Sequence, residues 1–198
     1  AKRQEFYRVM VDDCDRLLST VEQVLRAGKL RHRADRDAFQ PVDLVRVMDE
    51  CLALAQTRYR LTPGELTYRS TFAPGSRPRV LGDEDDLKAV VLNLVDNAIK
   101  YSGDAVTVAV ELAQTESRAA TIRVTDKGVG IPVSELSQIF KRFYRVPGVM
   151  TTRIKGAGLG LFIVRAVVAR HGGAVFAQSD GPGLGTTFTV QLPLTSAS

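Results

Sequence analysis

The sequence predicts an α+β fold, a two-layer sandwich of a sheet with helices on one face, preceded by a long helix of different character. Three observations carry this. Short alternating strands recur after Pro41, the last two meet at a glycine-rich hairpin, and helical apolar patterns are inserted between the others.

The long helix comes first. Residues 3 to 26 repeat at three and four through Tyr7, Met10, Cys14, Leu17, Val21 and Val24, with Val11, Leu18 and Leu25 widening the stripe. Such a stripe suits a helix of a bundle, about 35 Å long at the helical rise, rather than a two-stranded seam. No other segment repeats the pattern, so this helix needs a second copy of itself or a piece outside this chain. Gly28 and the charged run to Arg36 read as a linker.

After Pro41, Asp43 caps a helix through about Gln56, since a side-chain oxygen there accepts from the first free N–H groups. "GELTYRSTF" alternates Leu66, Tyr68, Ser70 and Phe72 against Thr67, Arg69 and Thr71, the period of a strand. Asp83 opens the next helix, with Glu84, Asp85 and Asp86 at the positive end of its dipole. Strands follow around Val106 to Leu112 and Ile122 to Thr125. A short helix to about Phe140 comes next, then a stretch with glycine and proline and a helix after Gly160. A hairpin closes the chain, pairing Ala174 to Gln178 with Thr187 to Leu192 across "SDGPGLG".

Composition narrows the class. At 198 residues and 44% hydrophobic, the chain can build one sizeable core plus an appendage, or two small domains. No run approaches a membrane span and no signal peptide opens the chain, so a soluble protein, or the soluble part of a larger one, is expected. Cys14 and Cys51 sit in apolar helical patterns without metal-ligand spacing, as buried free thiols of a reducing compartment would. The net charge of +5 is modest, and the basic cluster "RAGKLRHRADR" lacks aromatics for stacking, so no nucleic-acid partner is expected.

The chemistry starts in "NLVDNAIKYS". Leu87, Val90, Val91, Leu94, Val95 and Ala98 give that helix a core face, while Asn93, Asn97 and Lys100 fall at i, i+4 and i+7 on a separate stripe. Taken alone, the stripe reads equally as a solvated face or as oxygen ligands for a hard cation such as Mg²⁺ with a lysine for phosphate. Two glycine clusters supply context. "DKGVGIP" fixes Asp126 at a strand end followed by Gly128 and Gly130, where backbone can approach a flat ligand and a carboxylate can accept from an adenine amine. "KGAGLGLFIV" places Gly156, Gly158 and Gly160 before an apolar helix whose free N–H groups can hold phosphate. It is not the Walker pattern, lacking a following Lys-Ser/Thr. Nor is it the dinucleotide fingerprint, since Leu161 stands where glycine is needed.

Their order along the chain resembles the catalytic ATP-binding domain of sensor histidine kinases, within the GHKL ATPase superfamily. "NLVDNAIKYS" is similar to the N box, "DKGVGIP" to the first glycine box, "IFKRFYR" to the F box, "KGAGLGLFIV" to the second glycine box and "GTTFTVQLP" to the closing strand. The resemblance implies a Bergerat-type ATP-binding fold with a mixed sheet. By it, residues 1–28 correspond to the second helix of a dimerisation and phosphotransfer hairpin, 29–40 to a linker and 41–195 to the ATP-binding domain.

It also implies the cofactors ATP and Mg²⁺. Asn97 would hold the metal, Asn93 and Lys100 would lie near the phosphates, Tyr101 against the nucleoside, and Asp126 on the adenine amine with support from Thr187. Gly128, Gly130 and Ile131 belong to the same base loop. Phe140 and Phe143 would anchor a lid, Tyr144 and Arg145 its near end. Lys155, Gly156, Ala157, Gly158, Leu159, Gly160 and Leu161 would fold over the phosphates, Lys155 standing where the family often has another glycine.

Gyrase-type members carry a glutamate four residues before the metal asparagine; here that position is Asn93, an amide that cannot take a proton. Transfer to another group fits better than hydrolysis. The family's acceptor is a histidine beside an acidic residue, whereas His32 precedes Arg33 in the linker and His171 precedes Gly172 as a cation at a helix C-terminus. Neither reads as the acceptor, and no residue of the chain is assigned a catalytic role. The implied partners are an upstream or dimer-mate helix bearing the histidine, a response-regulator receiver domain, and a second copy in a homodimer. The implied location is the cytoplasm, including the cytoplasmic part of an inner-membrane sensor. The weighed alternatives are a nucleotide-gated pseudokinase scaffold and an anti-sigma-type serine kinase, the latter at odds with the N-terminal bundle helix.

Overall fold

The computed structural model describes residues 39–103, 105–115, 118–147 and 156–195. The expected N-terminal helix, most of the linker with His32, Cys14 and Lys155 lie outside the described residues. Element order is β1 (Gln40–Asp43), α1 (Leu44–Tyr59), β2 (Leu66–Ser70), β3 (Arg79–Gly82), α2 (Glu84–Tyr101), β4 (Val108–Gln114) and β5 (Ala119–Asp126). A 3₁₀ turn (Val133–Glu135), α3 (Gly160–Arg170), β6 (Ala174–Gln178) and β7 (Thr186–Pro193) complete it.

The sheet is mixed, as expected, with order β2-β4-β5-β7-β6. β2 runs parallel to β4 and every other neighbouring pair is antiparallel. Period-two alternation gives it one apolar face: Val108, Val110 and Leu112 of β4, Ala120, Ile122 and Val124 of β5, and Phe188, Val190 and Leu192 of β7. These share one buried cluster with Leu87, Val90, Val91, Leu94, Val95 and Ala98 of α2, so the helix layer covers that face. On the other face Glu111 pairs with Arg69 at 2.9 Å and Arg123 at 3.5 Å. Both arginines are exposed, and such pairs contribute little stability.

Both expected caps form. Asp43 Oδ1 accepts from Val45 N–H at 3.0 Å, and Asp83 Oδ1 from Asp86 N–H at 3.1 Å. Cys51 is a buried free thiol on α1, and burial pushes its pKa up to about 12, which makes it inert. The expected short helix before Phe140 is one 3₁₀ turn continued by further turns, with i→i−3 bonds such as Gln138 N to Glu135 O at 2.8 Å. β1 and β3 were not foreseen. They form a two-stranded antiparallel ribbon, and Val80 also bridges to Leu194 just beyond β7.

α2 and α3 pack antiparallel. Asn93 meets Gly160 at the start of α3, while Asp86 pairs with Arg170 and Asp83 meets His171 at its end. His171 corrects an expectation, for it is a buried neutral imidazole and not a cation. The Asp83 N–H donates to Nε2 at 3.1 Å, so the ring proton sits on Nδ1 and is donated to Val167 O at 2.8 Å. Phe39 stacks on the ring at 4.6 Å. Burial lowers the pKa below the ordinary 6.5, with Arg170 acting the same way and Val167 O, Asp86 and Asp83 opposing.

This sets a sign for stability. Between the folded-state pKa and 6.5 the unfolded chain binds more protons. Stability is therefore complete above 6.5 and lost as pH falls toward the folded value. His171→Gln is expected to remove that pH-dependent part, so thermal midpoints of variant and parent should diverge with rising pH. A constant difference across the range refutes the neutral assignment.

Candidate functional site

The site forms where four elements meet, α2, β5, β7 and the start of α3. One cleft is lined by Asn93, Asp96, Asn97, Lys100 and Tyr101 of α2, Asp126 of β5, Val129, Gly130 and Ile131 after it, and Thr186 of β7. Ile139, Tyr144, Arg145 and Val146 form another wall, and Gly156 to Leu161 the last. The asparagine and lysine stripe thus faces a cavity.

Each side chain has a local reason for its place. Asn93 Nδ2 donates to Ala89 O at 2.7 Å, which orients its Oδ1 toward Gly160. A Cβ on Gly160 would sit 2.7 Å from that oxygen, so glycine lets α3 begin against α2. The N-cap of α3, Leu159, gives no side-chain cap, and among the described residues nothing caps the first N–H groups of the helix, an arrangement that suits an anion. Gly158, at φ +67°, gives Phe143 N–H a carbonyl acceptor at 2.9 Å, and a Cβ there would press on the 143–144 backbone.

Asp126 extends the core-facing row of Ala120, Ile122 and Val124, which puts a carboxylate at the cleft with 5% exposure. Burial raises its pKa, while N–H donation from Gly128 (2.8 Å to Oδ1) and from the Thr186 backbone works in the other direction. Acceptor capacity remains for a ligand N–H. Gly128 lies beneath the cleft rather than on its wall, because a Cβ there would overlap the Tyr101 carbonyl. Val129 N–H donates to that carbonyl at 3.0 Å and ties the loop to the end of α2.

Two further expected positions are placed elsewhere. Thr187 points to the opposite face of β7, its hydroxyl 3.1 Å from that of Thr125, and Thr186 stands opposite Asp126. The parity of Phe188, Val190 and Leu192 carries this information, since 186 falls in the same row. Phe140 is buried edge-on against Phe188 at 6.5 Å, as an anchor should be. Phe143 is 59% exposed with φ +62°, with the Arg142 guanidinium over its ring at 4.8 Å, and so is not buried as an anchor. Tyr144 donates to the Glu135 carboxylate at the cleft edge.

Asp96, Val129, Ile139 and Val146 also line the cleft and were not foreseen. Asp96 Oδ2 lies 3.5 Å from Arg58 of α1 and 3.8 Å from Lys100. Among the described residues, no group of His, Cys, Asp and Glu could hold a metal by itself. The hard donors of the cleft are the amide oxygens of Asn93 and Asn97 and the carboxylates of Asp96 and Asp126, a set that suits Mg²⁺, a cation that takes few protein ligands and completes its shell with water and phosphate.

A mixed sheet under three helices, with this cleft at one end of the helix layer, defines a class of ATPase. The chain belongs to the histidine kinase-, DNA gyrase B- and HSP90-like ATPase family, whose model matches residues 82–196. Within that family its relatives include sensor histidine kinases. It is 31% identical over 190 residues to the sensor-like histidine kinase SenX3 of Mycolicibacterium smegmatis, covering 96% of this chain and 48% of the relative. The solved structure of the mycobacterial sensor histidine kinase MprB matches with TM-score 0.67 and 33% identity, over 81% of this chain and all of the other. Full-length ShkA in complex with AMPPNP matches with TM-score 0.78 and 28% identity, over all of this chain and 40% of that one. The chain therefore spans about half, or less, of the full-length relatives it matches. Among the described residues no helix is long and apolar enough to cross a membrane.

Proposed function

We propose that this chain is the ATP-binding catalytic portion of a two-component sensor histidine kinase, passing the γ-phosphoryl group to a histidine on another helix. That helix would belong to an upstream segment or to a dimer mate, with residues 1–28 as its hairpin partner, and a response-regulator receiver domain would take the group next. The carrying observation is the convergence in one cleft of Asp126, the Asn93–Asn97–Lys100 stripe and the uncapped start of α3.

Each part has a role set by its chemistry. Asp126 accepts from the adenine amine, with Thr186 beside it, and the apolar walls Val129, Ile131 and Ile139 cover the base. Lys100, Arg145 and the α3 N-terminus receive the phosphates. Asn97 offers an oxygen to Mg²⁺, whose contribution when bound is to screen phosphate charge. Phosphoryl transfer then depends on positioning: an imidazole nitrogen forms its bond to phosphorus as the bond to the β–γ bridging oxygen breaks and ADP leaves. Asn93 cannot serve as a base for water, and its amide is committed to Ala89, so transfer is favoured over hydrolysis. We place this activity in the cytoplasm, where a thiol such as Cys51 stays reduced.

His171 cannot be the acceptor. Both ring nitrogens are bonded, and it lies at the far end of α3, about 15 Å from the start of that helix. Incubation with γ-labelled ATP and Mg²⁺ is expected to leave this chain unlabelled, while a supplied helical hairpin bearing a histidine beside an acidic residue becomes labelled. Acid-labile, base-stable label on His32 or His171 would overturn the proposal, as would an unlabelled hairpin held at saturating concentration.

A further inference from the structure

The loop of the β6–β7 hairpin, residues 179–185, lies directly against the loop Gly128–Ile131, whose Val129, Gly130 and Ile131 line the cleft. Gly183 N–H donates to Val129 O at 2.7 Å, and Gly185 N–H to Gly128 O at 3.1 Å. The contact is backbone on backbone. A Cβ on Gly130 would overlap the Gly181 carbonyl, and one on Gly185 would overlap the Asp126 carbonyl. The only side chain joining the two loops is Ser179, among the described hydrogen bonds. Its Oγ accepts from Ile131 N–H at 3.0 Å and from Gly181 N–H at 3.4 Å, and donates to Gly185 O at 2.6 Å. A hydroxyl has one proton and two lone pairs, and all three are used.

We infer that Ser179 is a positioning residue for base recognition, a hydroxyl latch that holds the wall Val129–Ile131 and the Asp126–Thr186 pair in one register. The inference rests on the adenine reading of the cleft. Ser179 does not line the cleft, but both ends of its network lead to residues that do. Ile131 is a cleft wall, and Gly185 directly precedes Thr186, whose backbone N–H donates to Asp126. Releasing the hydroxyl frees Ile131 N–H and Gly185 O together, so the carboxylate and the apolar wall can drift apart. Adenine needs both at once. Guanine, which gains nothing from Asp126, depends on their register far less.

The test compares the full chain with Ser179→Ala and Ser179→Thr by calorimetry with ATP and GTP in Mg²⁺, alongside thermal melts. Ser179→Ala is expected to weaken ATP binding about tenfold, the scale of one buried hydrogen bond, and GTP binding less. The ATP-to-GTP ratio should therefore narrow, and Ser179→Thr, which keeps the hydroxyl, should restore it. Equal losses for both nucleotides, or an unchanged ratio, overturn the inference even if the melting temperature falls, because a purely structural serine would behave so. Should Ser179→Ala fail to fold, amide exchange in the parent decides. The Ile131 N–H should be protected and slowed further by ATP but not by GTP, and exchange at the rate of an open loop refutes the latch. A parent with no preference for ATP overturns the adenine reading itself; a parent with the preference whose alanine variant keeps it overturns only the role of Ser179.

Discussion

Asn97→Ala is expected to weaken ATP binding by about 10- to 100-fold or more in Mg²⁺, while changing it little in chelator. The argument is one of charge. Asn97 shares the cleft with two carboxylates, Asp96 and Asp126, and with cations that can meet phosphate directly, Lys100 and Arg145. Asn97 carries no charge, and on the proposed reading its value to a triphosphate would lie in an oxygen offered to a cation that the phosphates also hold. On that reading, removing the cation would remove the residue's contribution. Calorimetry in both buffers reads the difference; equal losses would mean that Asn97 contacts the nucleotide itself or only shapes the cleft, and the metal role would go.

Asp126→Asn is expected to narrow the preference for ATP over GTP. Guanine presents a carbonyl where adenine presents an amine, so the parent carboxylate faces acceptor with acceptor. That costs about 1 to 3 kcal/mol, or roughly 5- to 150-fold in affinity. The asparagine amide can keep its oxygen toward the Gly128 N–H and turn its NH₂ to the base, which relieves guanine and deprives adenine. The residue is nearly buried at the end of a strand, so its direction is fixed by the sheet and not by a mobile loop. Equal affinity of the parent for the two nucleotides would rule the assignment out.

What the sequence disclosed followed the two periods of regular structure. The stripe on α2 was legible because helical spacing separates Asn93, Asn97 and Lys100 from the leucines and valines of the core face. The caps Asp43 and Asp83 were legible because they act within three residues. Thr187 shows where resemblance and parity part, since the alternation that buries Phe188 and Val190 also selects Thr186. Asp96 was passed over because its partner Arg58 comes from another helix, and a single sequence carries no record of such pairings. The same holds for His171, whose neutrality depends on the Asp83 amide 88 residues away in sequence. β1 and β3 escaped notice because strands of four residues, one containing Pro41, are too short to display alternation.

The antiparallel setting of α2 and α3 has a mechanical consequence. The chain enters the described body at Phe39, against His171, and leaves it near Thr195, whose N–H donates to Arg79 O at 2.8 Å. Both attachments bear on the β1–β3 ribbon and on the Asp83–His171 junction, while the nucleotide cleft occupies the opposite end of the same two helices, at Asn93 and Gly160. A pull along the entering strand would load the ribbon in shear, because antiparallel hydrogen bonds lie perpendicular to the strands they join. Phe39 and Thr195 thus share the end of the α2–α3 pair that faces away from Asn93 and Gly160, and the cleft is built without either of them.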